Sequence, residues 1–159
     1  MDVLHGGAVF AAAVGSGLMA GLFATFSVVV MPALRRRPAA EGMAAMQAIN
    51  VVIVNPLFLV VFLGTALASV VVVIGAIIDP ARPGAIAAAA GGVLYLVGSI
   101  VVTAVANVPR NNALAAADPA TSDGAELWSR YLREWTGWNH VRTVATTAAL
   151  VLPVVALQA

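Results

Sequence analysis

The stretch VLHGGAVFAAAVGSGLMAGLFATFSVVVMPAL, residues 3–34, decides the fold. It is apolar apart from one histidine and three hydroxyl residues. A helix needs ~20 such residues to cross a bilayer, and this stretch is longer. We therefore predict a first membrane-spanning helix that ends in the basic turn Arg35-Arg36-Arg37.

The composition of the whole chain agrees with a membrane protein. Of its 159 residues, 62% are hydrophobic and 9% are charged, and the mean hydropathy is +0.99, which is far above that of a soluble domain. The eight basic residues are too few to neutralise a run of phosphates, so we expect no binding to nucleic acid. The chain has no cysteine, which excludes disulfides and cysteine-held metals. Its length fits a single domain over residues 1–159.

Three more spans are predicted by the same reasoning. Residues 41–78 form a second helix, interrupted at Asn55-Pro56 because proline lacks a helical N–H and disfavours helix at the residue before it. Residues 85–108 form a third helix, which we expect to end at Pro109. Residues 139–157 form the fourth. The predicted fold is an all-α membrane protein, an up-down bundle of four transmembrane helices.

A polar segment over residues 113–137 precedes the last span. Within it, residues 125–136 predict a short helix with an aromatic stripe on one side, formed by Trp128, Tyr131, Trp135 and Trp138. Tryptophan and tyrosine favour the membrane interface. We therefore predict a short interfacial helix before the last span, with its aromatic face against lipid or against the bundle.

The distribution of arginine predicts the orientation. The first connection holds Arg35-Arg36-Arg37 and the third holds Arg110, Arg130 and Arg133, whereas the second holds Arg82 alone. Basic loops stay in the cytoplasm. We expect an integral protein of the bacterial inner (plasma) membrane with both termini on the non-cytoplasmic side.

Polar side chains from four segments are predicted to meet near the cytoplasmic face. The third helix carries a ladder of residues spaced four apart, which belongs in the bundle interior because polar groups facing lipid are costly. The ladder consists of Tyr95, Ser99, Thr103 and Asn107. It ends beside residues 26–34, 47–55 and 138–143. Such convergence within a membrane indicates a functional site.

The sequence WNHVRT, residues 138–143, supplies the chemistry of that site. His140 has a side chain able to take a proton near neutral pH, and Arg142 with nearby amides is able to stabilise an oxyanion. Aromatic rings are available to stack on a flat ligand. As an alternative, Trp138 and Arg142 anchor the helix among lipid headgroups. We expect no metal or other cofactor, with a haem held by His140 as a minor alternative.

At these residues the chain resembles the anthrone oxygenase family of small four-helix membrane proteins. The resemblance covers nearly the whole chain, and its motifs, taken together in order, are fairly specific. They are GLFATFS (21–27), MPAL (31–34), MQAIN (46–50), NPLF (55–58), NVPRNN (107–112) and WTGWNHVRT (135–143).

The resemblance implies a cofactor-independent oxygenation, in which a polycyclic phenol enters from the membrane, loses a proton and reacts with O2 to give a quinone. As a hypothesis for this scheme, His140 is the base, and Arg142 with Asn107 steadies the enolate and peroxide oxygens. The residues expected to bind the substrate through amides, a hydroxyl or rings are Phe26, Asn50, Asn55, Asn111, Asn112, Trp135, Trp138, Asn139 and Thr143.

Two other classes of function fit the same residues. The polar layer of a non-catalytic membrane protein would hold haem, quinone or lipid without turnover. In a structural membrane subunit, the asparagines would only join helices. The expected partners are the lipid bilayer and, for the enzyme, a small hydrophobic aromatic substrate and O2.

Overall fold

The apolar stretches form helices in the computed structural model, which describes residues 3–158. No strand occurs within this range. The elements in chain order are α1 (Val3–Thr25), the π-helical segment π1 (Phe26–Val30), α2 (Met31–Arg35), α3 (Ala39–Val52), α4 (Pro56–Ile78), α5 (Ala85–Tyr95), π2 (Leu96–Val101), π3 (Thr103–Asn107), α6 (Val108–Ala115) and α7 (Ser122–Ala156).

Three continuous helical stretches are long and apolar enough to cross a membrane. They are Leu4–Arg35, Pro56–Ile78 and Ala85–Ala115. The protein is therefore all-helical and suited to a membrane, as the sequence predicted. Helix α7 is not one of the three, because polar residues interrupt its apolar half.

Packing between the long helices places them around a shared interior. Helix α1 packs on α4 and α7, and α5 packs on the same two helices. The backbones approach most closely at glycines: a Cβ added at Gly98 in π2 would overlap the Cβ of Ala145 in α7. Small residues at such crossings let helices approach closely without a hydrophobic driving force from water.

The polar ladder of the third stretch faces the interior as predicted. Tyr95, Ser99 and Asn107 are buried, and Thr103 is half-buried. In an α-helix of 3.6 residues per turn, side chains spaced four residues apart drift slowly around the axis. The i→i+5 bonds of π2 and π3 give wider turns of more than four residues, which shift the side chains in the opposite direction. Mixing the two keeps residues spaced by four on one face.

The expected end of the third helix at Pro109 is wrong, since the helix continues through α6 to Ala115. The N–H of Val108 bonds to the carbonyl of Thr103, five residues earlier, so the turn is already widened where the proline ring enters. Pro109 then lies in the first turn of α6, where its missing N–H is tolerated. Arg110 Nη1 donates to the carbonyl of Ala106 at 2.8 Å.

The separate interfacial helix is also wrong, because α7 is one continuous helix of 35 residues. Gly137 does not break it, which agrees with the modest penalty of ~1 kcal/mol for a glycine inside a helix. At 1.5 Å per residue α7 is about 50 Å long, whereas a bilayer core is only about 30 Å thick.

Three of the four residues of the aromatic stripe of α7 are buried in protein, whereas Trp138 is 40% exposed. Trp128, Tyr131 and Trp135 stack in succession, with ring centroids 5.7 and 5.8 Å apart. They share a core with Met43 and Met46 of α3 and with other residues of α2 and α6. Of the two alternatives for this face, the structure therefore shows packing against the protein.

Candidate functional site

A cavity of about 260 Å³ lies where α1, α3, α4, π3 and α7 meet. Its volume is slightly below the range of about 300–1,000 Å³ that is typical of small-molecule sites. Most of its wall is apolar and aromatic, with a few polar groups placed among the rings. The aromatic members are Phe23, Phe26, Phe58, Phe62 and Trp135, and the polar members are Asn50, Thr103, Asn107, Asn111 and Arg142.

One side of the cavity opens laterally between apolar side chains. Val54, Leu59 and Leu63 line the cavity and are exposed at the protein surface. Leu59 and Leu63 belong to α4, one of the three apolar helices long enough to span a membrane. A hydrophobic ligand in the bilayer would therefore meet this opening directly.

Arg142 is the charged group of the cavity, and it is only 6% exposed. Its Nη1 donates to Thr103 Oγ1 at 3.1 Å and its Nη2 to Asn139 Oδ1 at 2.7 Å. The guanidinium carbon lies 4.2 Å from the centroid of the Phe23 ring and 5.3 Å from that of Trp135. These contacts fix the guanidinium plane against the aromatic wall.

No carboxylate within residues 3–158 pairs with Arg142. The ion pairs among these residues are Arg37–Glu41, Arg82–Asp79 and Arg110–Glu134. A buried charge normally has an opposite charge beside it, because desolvation without a counter-ion is costly. The guanidinium is therefore held by neutral groups and is available to an anionic ligand.

Asn139 positions that guanidinium without lining the cavity. It is fully buried, and its Nδ2 donates to the Phe23 carbonyl and to Ser27 Oγ, each at 2.8 Å. Its Oδ1 is thereby directed at Arg142. A buried amide with both ends bonded has one orientation, so Arg142 has a rigid support.

A second network forms the opposite polar edge of the cavity. Tyr131 Oη donates to Asn111 Oδ1 at 2.8 Å, and Asn50 Nδ2 donates to Tyr131 Oη at 3.5 Å. Burial raises the pKa of the Tyr131 phenol, so it stays a neutral donor. Asn107 Nδ2 donates to the carbonyl of Trp135 at 3.3 Å.

Three buried polar atoms on cavity-lining residues have no hydrogen-bond partner within the described part of the chain. They are Asn107 Oδ1, Trp135 Nε1 and Arg142 Nε. Buried polar groups are almost always bonded, and exceptions call for an explanation such as a ligand. One acceptor and two donors on residues that line one cavity are thus left without a partner.

Two of the three π-helical segments in the described residues, π1 and π3, line this cavity. Phe26 comes from π1, and Thr103 and Asn107 come from π3, while π2 precedes π3 with one residue between them. Widened turns of this kind are frequent at functional sites because they redirect a side chain without ending the helix. The sequence reasoning found the residues but not this local geometry.

The structure brings together half of the residues singled out from the sequence. The cavity is lined by Phe26, Asn50, Asn107, Asn111, Trp135 and Arg142. Asn139 supports it from behind. Thr143 bonds to the Asn139 carbonyl at 2.9 Å, whereas Asn112 and Trp138 are exposed and do not line it.

His140 does not join the cavity, so it and Arg142 do not flank one pocket. Residues two apart on a helix lie about 200° apart around its axis, and they do not share a face. With Arg142 directed inward, His140 is exposed and lines a surface groove with Arg35 and Arg36.

Asn55 has a structural role instead of the expected contact with substrate. Its Oδ1 accepts from the N–H of Phe58 at 3.0 Å, and it is the N-cap of α4. An asparagine before a proline at the first helical position is a common helix start. The predicted interruption at Asn55-Pro56 is confirmed, with α3 ending at Val52.

Sequence reasoning did not assign three contributors to the site. Thr103 belongs to the polar ladder and Tyr131 to the aromatic stripe. Their spacing in the sequence predicted the helix face on which each lies, but not the residues to which they bond. Phe23 lies among apolar residues and carries no polar signal at all. Its contact with Arg142 depends on how α1 packs against α7.

The fold is that of a helical membrane protein, and it contains an aromatic-lined cavity with a buried guanidinium in its wall. The chain belongs to the anthrone oxygenase family, since the model of that family matches residues 56–152. This range includes Asn107, Asn111, Trp135 and Arg142, and it confirms the resemblance found in the sequence. Neither a curated protein nor a solved structure matches the chain.

Proposed function

We propose that this protein is a membrane-embedded oxygenase that uses O2, without a cofactor, to convert a polycyclic phenol into a quinone. The observation that carries the proposal is Arg142, a buried guanidinium that faces an aromatic-lined cavity and has no carboxylate partner among the described residues. Family membership supports the reaction type. The lateral opening supports entry of the substrate from lipid.

The phenol binds as its keto tautomer, the anthrone form. Its flat ring system lies among Phe26, Phe58 and Trp135, with the ketone oxygen towards Arg142. Transfer of a proton to water from the ring carbon opposite that ketone gives an enolate, and its negative charge lies largely on the oxygen. A fixed cation in a cavity of low dielectric stabilises that charge much more than water does. Arg142 therefore lowers the pKa of the bound substrate.

Oxygenation then needs only O2. The enolate carbon forms a C–O bond with O2, and the resulting peroxide takes up a proton to balance the one released. The O–O bond breaks as the second hydrogen leaves the same carbon, so that one oxygen becomes the quinone carbonyl and the other becomes water. Arg142, Asn107 and Asn111 are the groups suited to hold the peroxide.

The proposal includes a fourth membrane span formed by the apolar half of α7, residues 139–156. This half packs against α1 and α5, both of which belong to apolar stretches long enough to span. The other half, with α3 and α6, forms a headpiece beyond the hydrocarbon layer. The arginines of the headpiece favour its position in the cytoplasm of a bacterial cell.

The test is turnover of anthrone by the purified protein under 18O2. We expect O2 uptake equal to the quinone formed, with one 18O atom in each quinone, and no change on adding a chelator or flavin. Heat-treated protein measures spontaneous oxidation. Quinone formation no faster than in that control would overturn the proposal, and saturable binding of anthrone without turnover would identify a binding protein instead.

A further inference from the structure

A group of basic side chains lies on the far side of α7 from the cavity. A groove of about 330 Å³ between α2 and α7 is lined by Arg35, Arg36 and His140, with Met31 and Thr136 deeper inside. The basic residues are exposed, whereas Met31 and Thr136 are buried. The groove thus combines a cationic rim with a partly apolar floor.

The cations of this groove have no acidic partner in the described residues. Arg37, the next residue, pairs with Glu41 at 3.0 Å, but neither Arg35 nor Arg36 forms an ion pair with any residue from 3 to 158. Adjacent like charges repel, and an anion between them relieves the repulsion. The arrangement therefore favours a bound anion.

A buried hydroxyl supplies an independent sign of a ligand. Thr136 is 8% exposed, and its Oγ1 has no hydrogen-bond partner among the described residues. Most threonines inside helices bond back to the turn before them, as Thr146 does to the Arg142 carbonyl at 2.7 Å. Thr136 lines the groove, and its hydroxyl is left without a partner among the described residues.

The position of the groove indicates the source of the anion. Arg35 is the last residue of the first apolar stretch, Leu4–Arg35, where a spanning helix meets the headgroup layer. Basic residues at that level attract anionic lipids. The buried Met31 gives the groove an apolar floor, which suits the first part of a lipid acyl chain better than a free ion.

We propose that this groove binds the phosphate of an anionic membrane lipid. Arg35 and Arg36 provide the charge, Thr136 provides a hydrogen bond, and His140 closes the rim. Inorganic phosphate has the same binding chemistry but no apolar part. This site is separate from the cavity of Arg142 and does not depend on the reaction proposed there.

Native mass spectrometry of the full-length protein in detergent tests the proposal by titration with phosphatidylglycerol. The double variant Arg35→Gln/Arg36→Gln should raise the Kd for this lipid roughly 30-fold, since each arginine near an anionic headgroup contributes about fivefold. The matched control, Arg130→Gln/Arg133→Gln, removes the same charge from the exposed face of α7. It should leave the Kd nearly unchanged.

Two further arms separate a built site from general attraction. Thr136→Val keeps the shape of the side chain but removes the hydroxyl, and it should weaken binding about fivefold. Phosphatidylcholine should bind more weakly than phosphatidylglycerol. Equal losses in the two double variants, or equal binding of the two lipids, would overturn the site. Displacement of the lipid by equimolar inorganic phosphate would overturn the lipid assignment.

Discussion

Replacing Arg142 with Met distinguishes a group that binds substrate from one that holds the fold together. The variant keeps a long, unbranched side chain and removes the charge. It loses the hydrogen bonds to Thr103 at 3.1 Å and Asn139 at 2.7 Å, and bonds to charged groups contribute about 1.5–3 kcal/mol each. It also removes a desolvation penalty of several kcal/mol for an unpaired buried cation.

These contributions to the free energy of unfolding nearly cancel, so Arg142→Met should change the Tm only modestly. The contribution of Arg142 to the reaction rate is not compensated in this way, because no other described residue in the cavity wall carries a positive charge. Removing a preorganised group that stabilises an oxyanion typically lowers turnover about 10²–10³-fold. We therefore expect a folded protein with very low activity.

The assay combines O2 uptake with anthrone and thermal unfolding of the same preparation. Arg133→Met is the matched control, since Arg133 lies on the exposed face of α7 and, among residues 3–158, bonds only to Ser129. Arg142→Lys should be intermediate, because it keeps the charge but lacks the planar fork. Turnover of Arg142→Met close to wild type would refute the mechanism, and loss of folding would assign the guanidinium a structural role.

The other predictions concern the neighbourhood of that group and the helix packing. His140→Ala should leave O2 uptake near wild type, because the His140 side chain lies outside the cavity. Removing a general base lowers turnover ~10²-fold, so a loss of that size would show that His140 takes part in the reaction. Asn139→Asp should place a carboxylate beside Arg142, neutralise its charge and lower O2 uptake. The variant also loses the hydrogen bond to the Phe23 carbonyl, so the Tm should fall as well; unchanged uptake would show that the charge is not needed. Gly98→Val should destabilise the protein by about 1–3 kcal/mol through overpacking, measured as a lower Tm, whereas Gly64→Val, where an added Cβ meets nothing within 4 Å, should have little effect; equal shifts would contradict the close crossing at Gly98.

Periodic patterns predicted those parts of the fold that depend on burial. The polar ladder from Tyr95 to Asn107 faces the interior of the helix bundle, because polar side chains are costly against lipid. The interruption before Pro56 follows from local backbone chemistry. Both signals act over a few residues, so one sequence is enough to find them.

The errors concern features that depend on the whole assembly. The third helix was expected to end at Pro109 and the short helix at residue 136, but the widened turn of π3 accommodates the proline and α7 continues without a break. His140 and Arg142 lie in one motif, yet the helix turns them to different sides. The sequence predicts which residues lie at the same depth in the membrane. The direction in which each side chain points depends on which helices pack against its own.

The exposed leucines at the mouth of the cavity have a consequence for kinetics. A ligand that arrives through them enters from the bilayer. The rate therefore depends on the mole fraction of the ligand in lipid rather than on its molarity in buffer. Adding inert phospholipid at constant amounts of protein and substrate will therefore slow the reaction by surface dilution.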